Sequence, residues 1–254
     1  MIKKTTKKRK SMLLFVFFLI FFLISSLLLL FLGEKLHGRL DIQSTSISSD
    51  LPIVIIDAGH GGEDGGAIGT NGIYEKDINL NIANQLDTML RAAGVPTVMT
   101  RSKDHLLYDP NSDYEGRKKV LDMQARLNIC KQYEHAIFVS IHQNTFGQER
   151  YHGLQVYYSA NNEQSKPLAQ AIQSLSATSI CPGNNRKIKN AGTDIFLLDR
   201  NDHPAVLVEC GFLSNPEECE KLSDESYQKQ VATTICVSIL NFFEQSVTFK
   251  NANT

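Results

Sequence analysis

The sequence predicts one α/β domain built on a twisted, mostly parallel central sheet with helices on both faces, preceded by a single N-terminal transmembrane helix. Three observations carry this. From residue 51 onward, short runs of β-branched and aromatic residues alternate with segments whose apolar residues recur at helical spacing, and no internal repeat breaks the order. Three of the short runs, Ile53–Ile56, Ala136–Val139 and Ala205–Val208, each lead into residues that bind metals or move protons: Asp57 and His60, His142, and Glu209. Open α/β sheets collect their chemistry outside the carboxyl ends of such strands. Finally, Met12–Leu32 is an uncharged apolar stretch broken only by Ser25 and Ser26.

At about 1.5 Å per residue that stretch covers about 30 Å, the hydrocarbon thickness of a bilayer. A cleaved signal peptide is the competing reading, but its apolar region runs only about 7–15 residues and ends at a small-x-small site. Here the run ends in Gly33-Glu34-Lys35. Residues 1–11 form a basic tail with six lysines and arginines and no acid, so the positive-inside rule expects a cytoplasmic N-terminus and a main domain held outside. Residues 33–50 are polar and rich in Ser and Thr, and read as a linker. With a whole-chain net charge of −1, the residues after the basic tail carry −7. An acidic main domain argues against nucleic acid as the ligand, because phosphate contacts need a basic face.

The remaining composition, 42% hydrophobic and without Trp, suits one substantial core, placed at 51–246 and followed by a short tail at 247–254. Ile53–Asp57 is the first expected strand, leading into a Gly-rich loop that ends near Tyr74. Ile78, Ile82, Leu86 and Leu90 recur at helical spacing and stop at Ala93-Gly94. Val95–Thr100 reads as a second strand and residues 116–131 as a helix with Val120, Leu121 and Leu127 among its apolar positions. Ala136–His142 and Gly153–Tyr158 are the third and fourth strands, with a helix over 163–178 after them. Thr193–Leu198 and Ala205–Glu209 complete six strands. Asn215-Pro216-Glu217-Glu218 combines an N-cap Asn, Pro at the first helical position and acids in the first turn, and a last helix over 225–244 buries Val231, Ile235, Ile239 and Phe242.

A hydrolytic zinc site needs three protein ligands, commonly two His and a carboxylate, and a separate base for the attacking water. His60, Glu75 and His142 form such a ligand set, and Glu209 is the candidate base. Each has a plainer reading: a strand-end His is often a hydrogen-bonded structural residue, and Glu75 suits the start of a helix. Glu209 is harder to dismiss, since a carboxylate flanked by Val206-Leu-Val and Cys210-Gly-Phe is costly to bury unless paired or functional. Asp57 is either an acceptor behind a ligand His or a turn residue, and Asn144 either a substrate contact or a loop cap. His152 and His203 are the other histidines to test against the structure. The five cysteines show no C-x-x-C pair and read as small buried hydrophobes rather than ligands. The loop from Gly59 fails the dinucleotide fingerprint at its last glycine, lacks the Lys-Ser/Thr of a P-loop, and no H-E-x-x-H or G-x-S-x-G occurs.

Three ordered blocks carry a resemblance. Asp57-Ala-Gly-His60-Gly-Gly with Glu75-Lys76-Asp77, then Ser140-Ile-His142-Gln-Asn144, then Pro204-Ala-Val-Leu-Val-Glu209-Cys-Gly-Phe-Leu-Ser-Asn215 resemble the zinc-dependent N-acetylmuramoyl-L-alanine amidases (type 3) that cut bacterial cell walls. The likeness extends over nearly all of residues 53–244. It implies His60, Glu75 and His142 as Zn2+ ligands, Glu209 as catalytic carboxylate, a twisted sheet flanked by helices, and hydrolysis of the amide between N-acetylmuramic acid and L-alanine in peptidoglycan. This chain departs from the family at Gly65-Gly66, where a Pro is common, and at Gln143, where a small residue is common. Asn144 to Gly153 is too short for the regulatory insertion of some relatives. A single anchor on a bare catalytic domain looks like the sporulation and germination amidases that prepare spore cortex for muramic-lactam formation; with no separate wall-binding module in the sequence, an accessory protein for recruitment or activation is a partner to test for. A catalytically silent wall-binding scaffold and a zinc hydrolase of another amide are the alternatives.

Overall fold

The computed structural model describes residues 17, 18, 25, 26, 51–109, 111 and 116–252. Apart from the helical residues 17, 18, 25 and 26, the expected anchor at 12–32 lies outside the described residues, as do the basic tail at 1–11 and the linker at 33–50. No helix among the described residues is long and apolar enough to cross a membrane.

Six strands form one sheet: β1 (Ile53–Ala58), β2 (Thr97–Met99), β3 (Ala136–Asn144), β4 (Gln155–Tyr158), β5 (Lys189–Asn190) and β6 (Ala205–Phe212), in the order β2-β1-β3-β6-β4-β5. The sheet is mixed but mostly parallel, with β4 antiparallel to β6. The three apolar runs singled out in the sequence are adjacent parallel strands, β1, β3 and β6, so their carboxyl ends open onto one rim.

Helices cover both faces. Against one face lie α1 (Glu75–Ala92), α3 (Ser165–Ser179) and α6 (Glu225–Ala252); α2 (Lys118–Cys130) and α4 (Phe196–Asp199) lie against the other, and α5 (Pro216–Ser223) joins β6 to α6. Strand alternation assigns the sides: Val54, Ile56, Val139, Ile141, Val206 and Val208 pack with α1, α3 and α6, while Ile55, Phe138, Ala205 and Leu207 pack toward α2 and α4. Each of these Val, Ile, Leu and Phe side chains contributes about 1.5–3 kcal/mol on leaving water. In α1 the expected Ile78, Ile82, Leu86 and Leu90 are all buried. The Asn215 side chain caps α5 by accepting from the Glu218 N–H at 3.0 Å.

Two expectations are corrected. Thr193–Leu198 is not a strand; it turns into α4, whose consecutive residues Leu197 and Leu198 are both buried, an arrangement that a strand with alternating faces does not provide. The fifth strand is Lys189–Asn190, two exposed residues paired with Tyr157 and Tyr158 at the sheet edge. Being exposed on both sides, it shows no apolar period. In α2, Val120 is 51% exposed, and the buried positions include Asp122 and Arg126 beside Leu127 and Cys130.

Those two charges belong to a buried network at the carboxyl end of β1. Arg126 Nη1 donates to Asp57 Oδ1 at 2.6 Å and Nε to Asp122 Oδ2 at 2.7 Å, while Asp57 also accepts from Thr100 Oγ1 at 2.7 Å and Ser140 Oγ at 2.6 Å. Burial alone would raise the Asp57 carboxyl, but Arg126 and these hydroxyl donors outweigh it and hold it below the usual carboxylate range. Removing one partner of a buried pair leaves an uncompensated charge, so Arg126→Met is expected to lower stability by about 3–5 kcal/mol in urea unfolding. Combining it with Asp57→Asn should cost less than the two single changes together; additive losses would show that the pair is not coupled.

Candidate metal centre

Three elements bring His60, Glu75 and His142 together. His60 follows β1 in the Gly-rich loop, Glu75 is the first residue of α1, and His142 lies near the end of β3. Their ligand atoms lie within 4.8 Å of one another, and the two imidazoles sit edge to face with centroids 5.0 Å apart. The Glu75 carboxylate bridges them: His142 Nδ1–H donates to Oε1 at 2.9 Å, and His60 Nε2 lies 3.2 Å from Oε2.

His60 has φ 62, among the described residues the one non-glycine in the left-handed region. That conformation costs about 1–2 kcal/mol for an L-residue and needs support from its surroundings. Two buried arginines supply it. Arg126 Nη2 donates to the His60 carbonyl at 2.7 Å and Nη1 to the Ala58 carbonyl at 2.7 Å; Arg101 donates to the carbonyls of Ala58 and Gly59, both at 2.9 Å. Glycine is required nearby for space: a Cβ on Gly59 would stand 2.3 Å from the His142 ring, and one on Gly66 would stand 2.6 Å from Glu75 Oε2.

The carboxylate is held as firmly as the imidazoles. The backbone N–H groups of Ala67 and Gln143 donate to Glu75 at 2.9 and 3.0 Å, and Asn79 Nδ2 donates at 3.3 Å. Gln143 Nε2 in turn donates to Asn79 Oδ1 at 3.1 Å, so the unusual Gln beside His142 props this shell. Burial would raise the Glu75 carboxyl; hydrogen bonds from His142 and His60 and their charge overcome that and hold it far below the usual range. His60 is the counterpart. Burial would lower its pKa, but Glu75 and then Asp64, 2.9 Å from Nδ1, raise it.

Glu209 pairs directly with His142 across β3 and β6. Its Oε2 is buried without a hydrogen-bond partner, and burial, reinforced by the charge of Glu75 and opposed by the histidines, pushes its pKa up to about 7. A carboxylate held far below the usual range beside one poised near neutrality is an acid–base arrangement. Two imidazoles and a carboxylate form the donor set of hydrolytic zinc, and their spacing suits one cation with bonds of about 2 Å. The residues present therefore fit a divalent metal.

Other candidates fall elsewhere. Asp57 does not back either candidate histidine; it serves the buried network, and the carboxylate beside His60 Nδ1, at 2.9 Å, is that of Asp64, four residues further along the loop. Asn144 uses its carbonyl to accept from Leu213 N–H at 2.8 Å. His152 is exposed, and His203 Nε2 contacts the Cys130 carbonyl at 3.1 Å, so neither reaches the centre. Cys130, Cys210, Cys219 and Cys236 are buried, as expected of small hydrophobes. The reading of the sequence missed Asp64 and Asn79. Both stand four residues after a candidate ligand, His60 and Glu75, which was the available signal. A depression lined by Asn81, Gln85, Glu225 and Lys229 contains none of these groups.

The model of the family described as N-acetylmuramoyl-L-alanine amidase matches residues 54–241. The germination-specific N-acetylmuramoyl-L-alanine amidase of Bacillus subtilis is 32% identical over 193 residues, covering 76% of this chain and 80% of its own. Among solved structures, the CwlD amidase from Clostridioides difficile, determined in complex with the GerS lipoprotein, is 38% identical with a TM-score of 0.73, covering 76% of this chain and 98% of that one. The catalytic domain of CwlV, an N-acetylmuramoyl-L-alanine amidase from Bacillus (Paenibacillus) polymyxa, is 30% identical with a TM-score of 0.63, over 76% and 99% of the respective chains. The chain thus belongs to the N-acetylmuramoyl-L-alanine amidase family, enzymes that hydrolyse the amide joining N-acetylmuramic acid to L-alanine in peptidoglycan.

Proposed function

We propose that the metal is zinc, held by His60, Glu75 and His142, that Glu209 is the catalytic carboxylate, and that the enzyme works on spore cortex from a membrane anchor at residues 12–32, its catalytic domain (51–246) outside. The observation that carries the site assignment is the convergence of the three ligand atoms within 4.8 Å beside a buried carboxyl that has an unpartnered oxygen. The cortex role draws on the germination-specific relative, and the anchor on the length and charge flanks of the apolar stretch. An accessory protein that recruits or activates the enzyme is part of this reading, in keeping with the relative solved together with a lipoprotein.

A zinc ion held by His60, Glu75 and His142 would supply Lewis-acid polarisation of the scissile carbonyl and a water whose pKa is lowered to about 7. Glu209, poised near the same value, takes the water's proton and passes it to the departing amine of L-alanine. Asp64 keeps His60 oriented, with its Nε2 turned toward Glu75. Asn79 and Gln143 keep the Glu75 carboxylate from swinging out of the set.

Glu209→Gln should retain zinc on metal analysis yet release stem peptides from sacculi about 10²–10⁴-fold more slowly; near-normal turnover in the zinc-loaded variant sinks the assignment. His142→Ala should instead lose the ion, and full occupancy after dialysis would remove His142 from the ligand set. Muramic acid ends and L-alanine N-termini among the products distinguish the amidase from a silent scaffold, which gives none, and from a hydrolase of another amide, which gives different ends. A thermodynamic consequence concerns the metal-free protein. Glu209 has a folded pKa above its unfolded value, so its contribution to stability is complete below about 4.5 and is lost as pH rises through about 7. In chelator, Glu209→Gln should therefore melt several degrees above wild type at pH 8, with the gap closing by pH 4.

A further inference from the structure

The corner where β4 begins and β6 ends holds an arginine that the chemistry above does not use. Arg186 lies just before β5 with its guanidinium 4.6 Å from the Phe212 ring centroid, a cation–π contact at the carboxyl end of β6. Its Nε donates to the His152 carbonyl at 2.7 Å and Nη1 to Gln155 Oε1 at 3.1 Å. The group is therefore held in place while half-buried. No carboxylate pairs with it among the described residues. Glu218, which reaches the same corner, accepts instead from the backbone N–H groups of Gly153 and Phe212, both at 2.8 Å.

The position relates directly to the reacting centre. Gln155 is the cross-strand partner of Glu209 in the antiparallel β4–β6 ladder, and directly opposed residues on adjacent strands project to the same face with Cα atoms about 5 Å apart. Arg186 thus stands one cross-strand step and one hydrogen bond from the proton carrier. Lys189, 5.5 Å from the Tyr157 ring centroid, continues a positive edge along β5. A rigid, unpaired guanidinium with a free Nη2 matches a carboxylate. The stem peptide offers one close to the scissile bond: the D-glutamate that follows L-alanine carries a free carboxylate one residue from the scissile amide, a span of about 3.3–3.6 Å per extended residue.

We infer that Arg186, seated on Phe212 and Gln155, forms a subsite that binds the carboxylate of the second stem-peptide residue and sets the enzyme's preference for free over amidated stems. This rests on the amidase reading. It is tested with uncross-linked glycan chains whose stem peptides differ only in a free or amidated D-glutamate carboxylate, cut by the metal-loaded full-length protein. Wild type should show a KM for the acid roughly tenfold or more below that for the amide. Arg186→Gln should raise the KM for the acid by that factor and leave kcat within about twofold on both substrates; Arg186→Lys should regain part of the loss. Equal losses on acid and amide would mean that Arg186 only braces the fold, and would overturn the subsite. Equal KM values for the two substrates with wild type overturn it as well, a comparison that stands even if the variants do not fold. Failure of the amidase reading looks different, with neither substrate cut between the lactyl group and L-alanine.

Discussion

The guanidinium of Arg126 is the interaction through which β1, α2 and the loop carrying His60 are locked together. It faces Asp57 at the end of β1 and Asp122 one helical turn before it, and its remaining donors reach the carbonyls of Ala58 and His60. A buried ion pair gains little net stability over an apolar substitute, because desolvation cancels most of the attraction. What the planar fork supplies is direction: three acceptors at the end of β1 and in its loop and a fourth on α2 must take up one geometry to satisfy it. His60 can then remain left-handed, a conformation that a free loop would leave. Arg101 repeats the device on the next carbonyl, and both arginines are almost wholly buried.

From that support follows the contrast between the two carboxylates. Glu75 and Glu209 share one small volume, yet their acidities are driven apart. Glu75 sits at the N-terminus of α1, accepts two backbone N–H bonds and faces two imidazoles, all of which favour the charged form. Glu209 rises from the middle of an apolar strand with one oxygen unpartnered, and the charge of Glu75 adds to the penalty of burial. Environment alone thus sets the two carboxylates apart, one held charged and the other poised near neutrality. Strand pairing keeps the division in register, since His142 and Glu209 face each other across β3 and β6.

Periodicity made most of the architecture legible. β1, β3 and β6 are buried on both faces and so appear as continuous β-branched runs, and α1 buries the four residues that its spacing marked. Elements whose role is not to bury apolar surface were invisible or misread. β5 is a two-residue exposed edge. The Leu197-Leu198 pair resembles a strand in sequence because a short apolar run has no period long enough to separate helix from strand. α2 hides its function for another reason: its inward face carries Asp122 and Arg126, which any hydrophobicity pattern assigns to solvent.

Within the centre, the residue types and their order pointed to two imidazoles, a carboxylate and a strand-end base, since His60, Glu75, His142 and Glu209 are the groups that hydrolytic chemistry needs and they follow apolar runs that had to be strands. Which groups stand behind them was decided by folding. Asp57, three residues before His60, points into the Arg126 network, while Asp64, four residues after it in the loop, lies against the His60 ring. The acidity of Glu209 likewise depends on how much water the packed sheet excludes and on how near Glu75 comes, and the solitary Arg186 gains its position only because β4 runs antiparallel to β6. Chain order carries chemical identity; distance, burial and the sign of neighbouring charge are properties of residues far apart in sequence, and they exist only once the sheet has assembled.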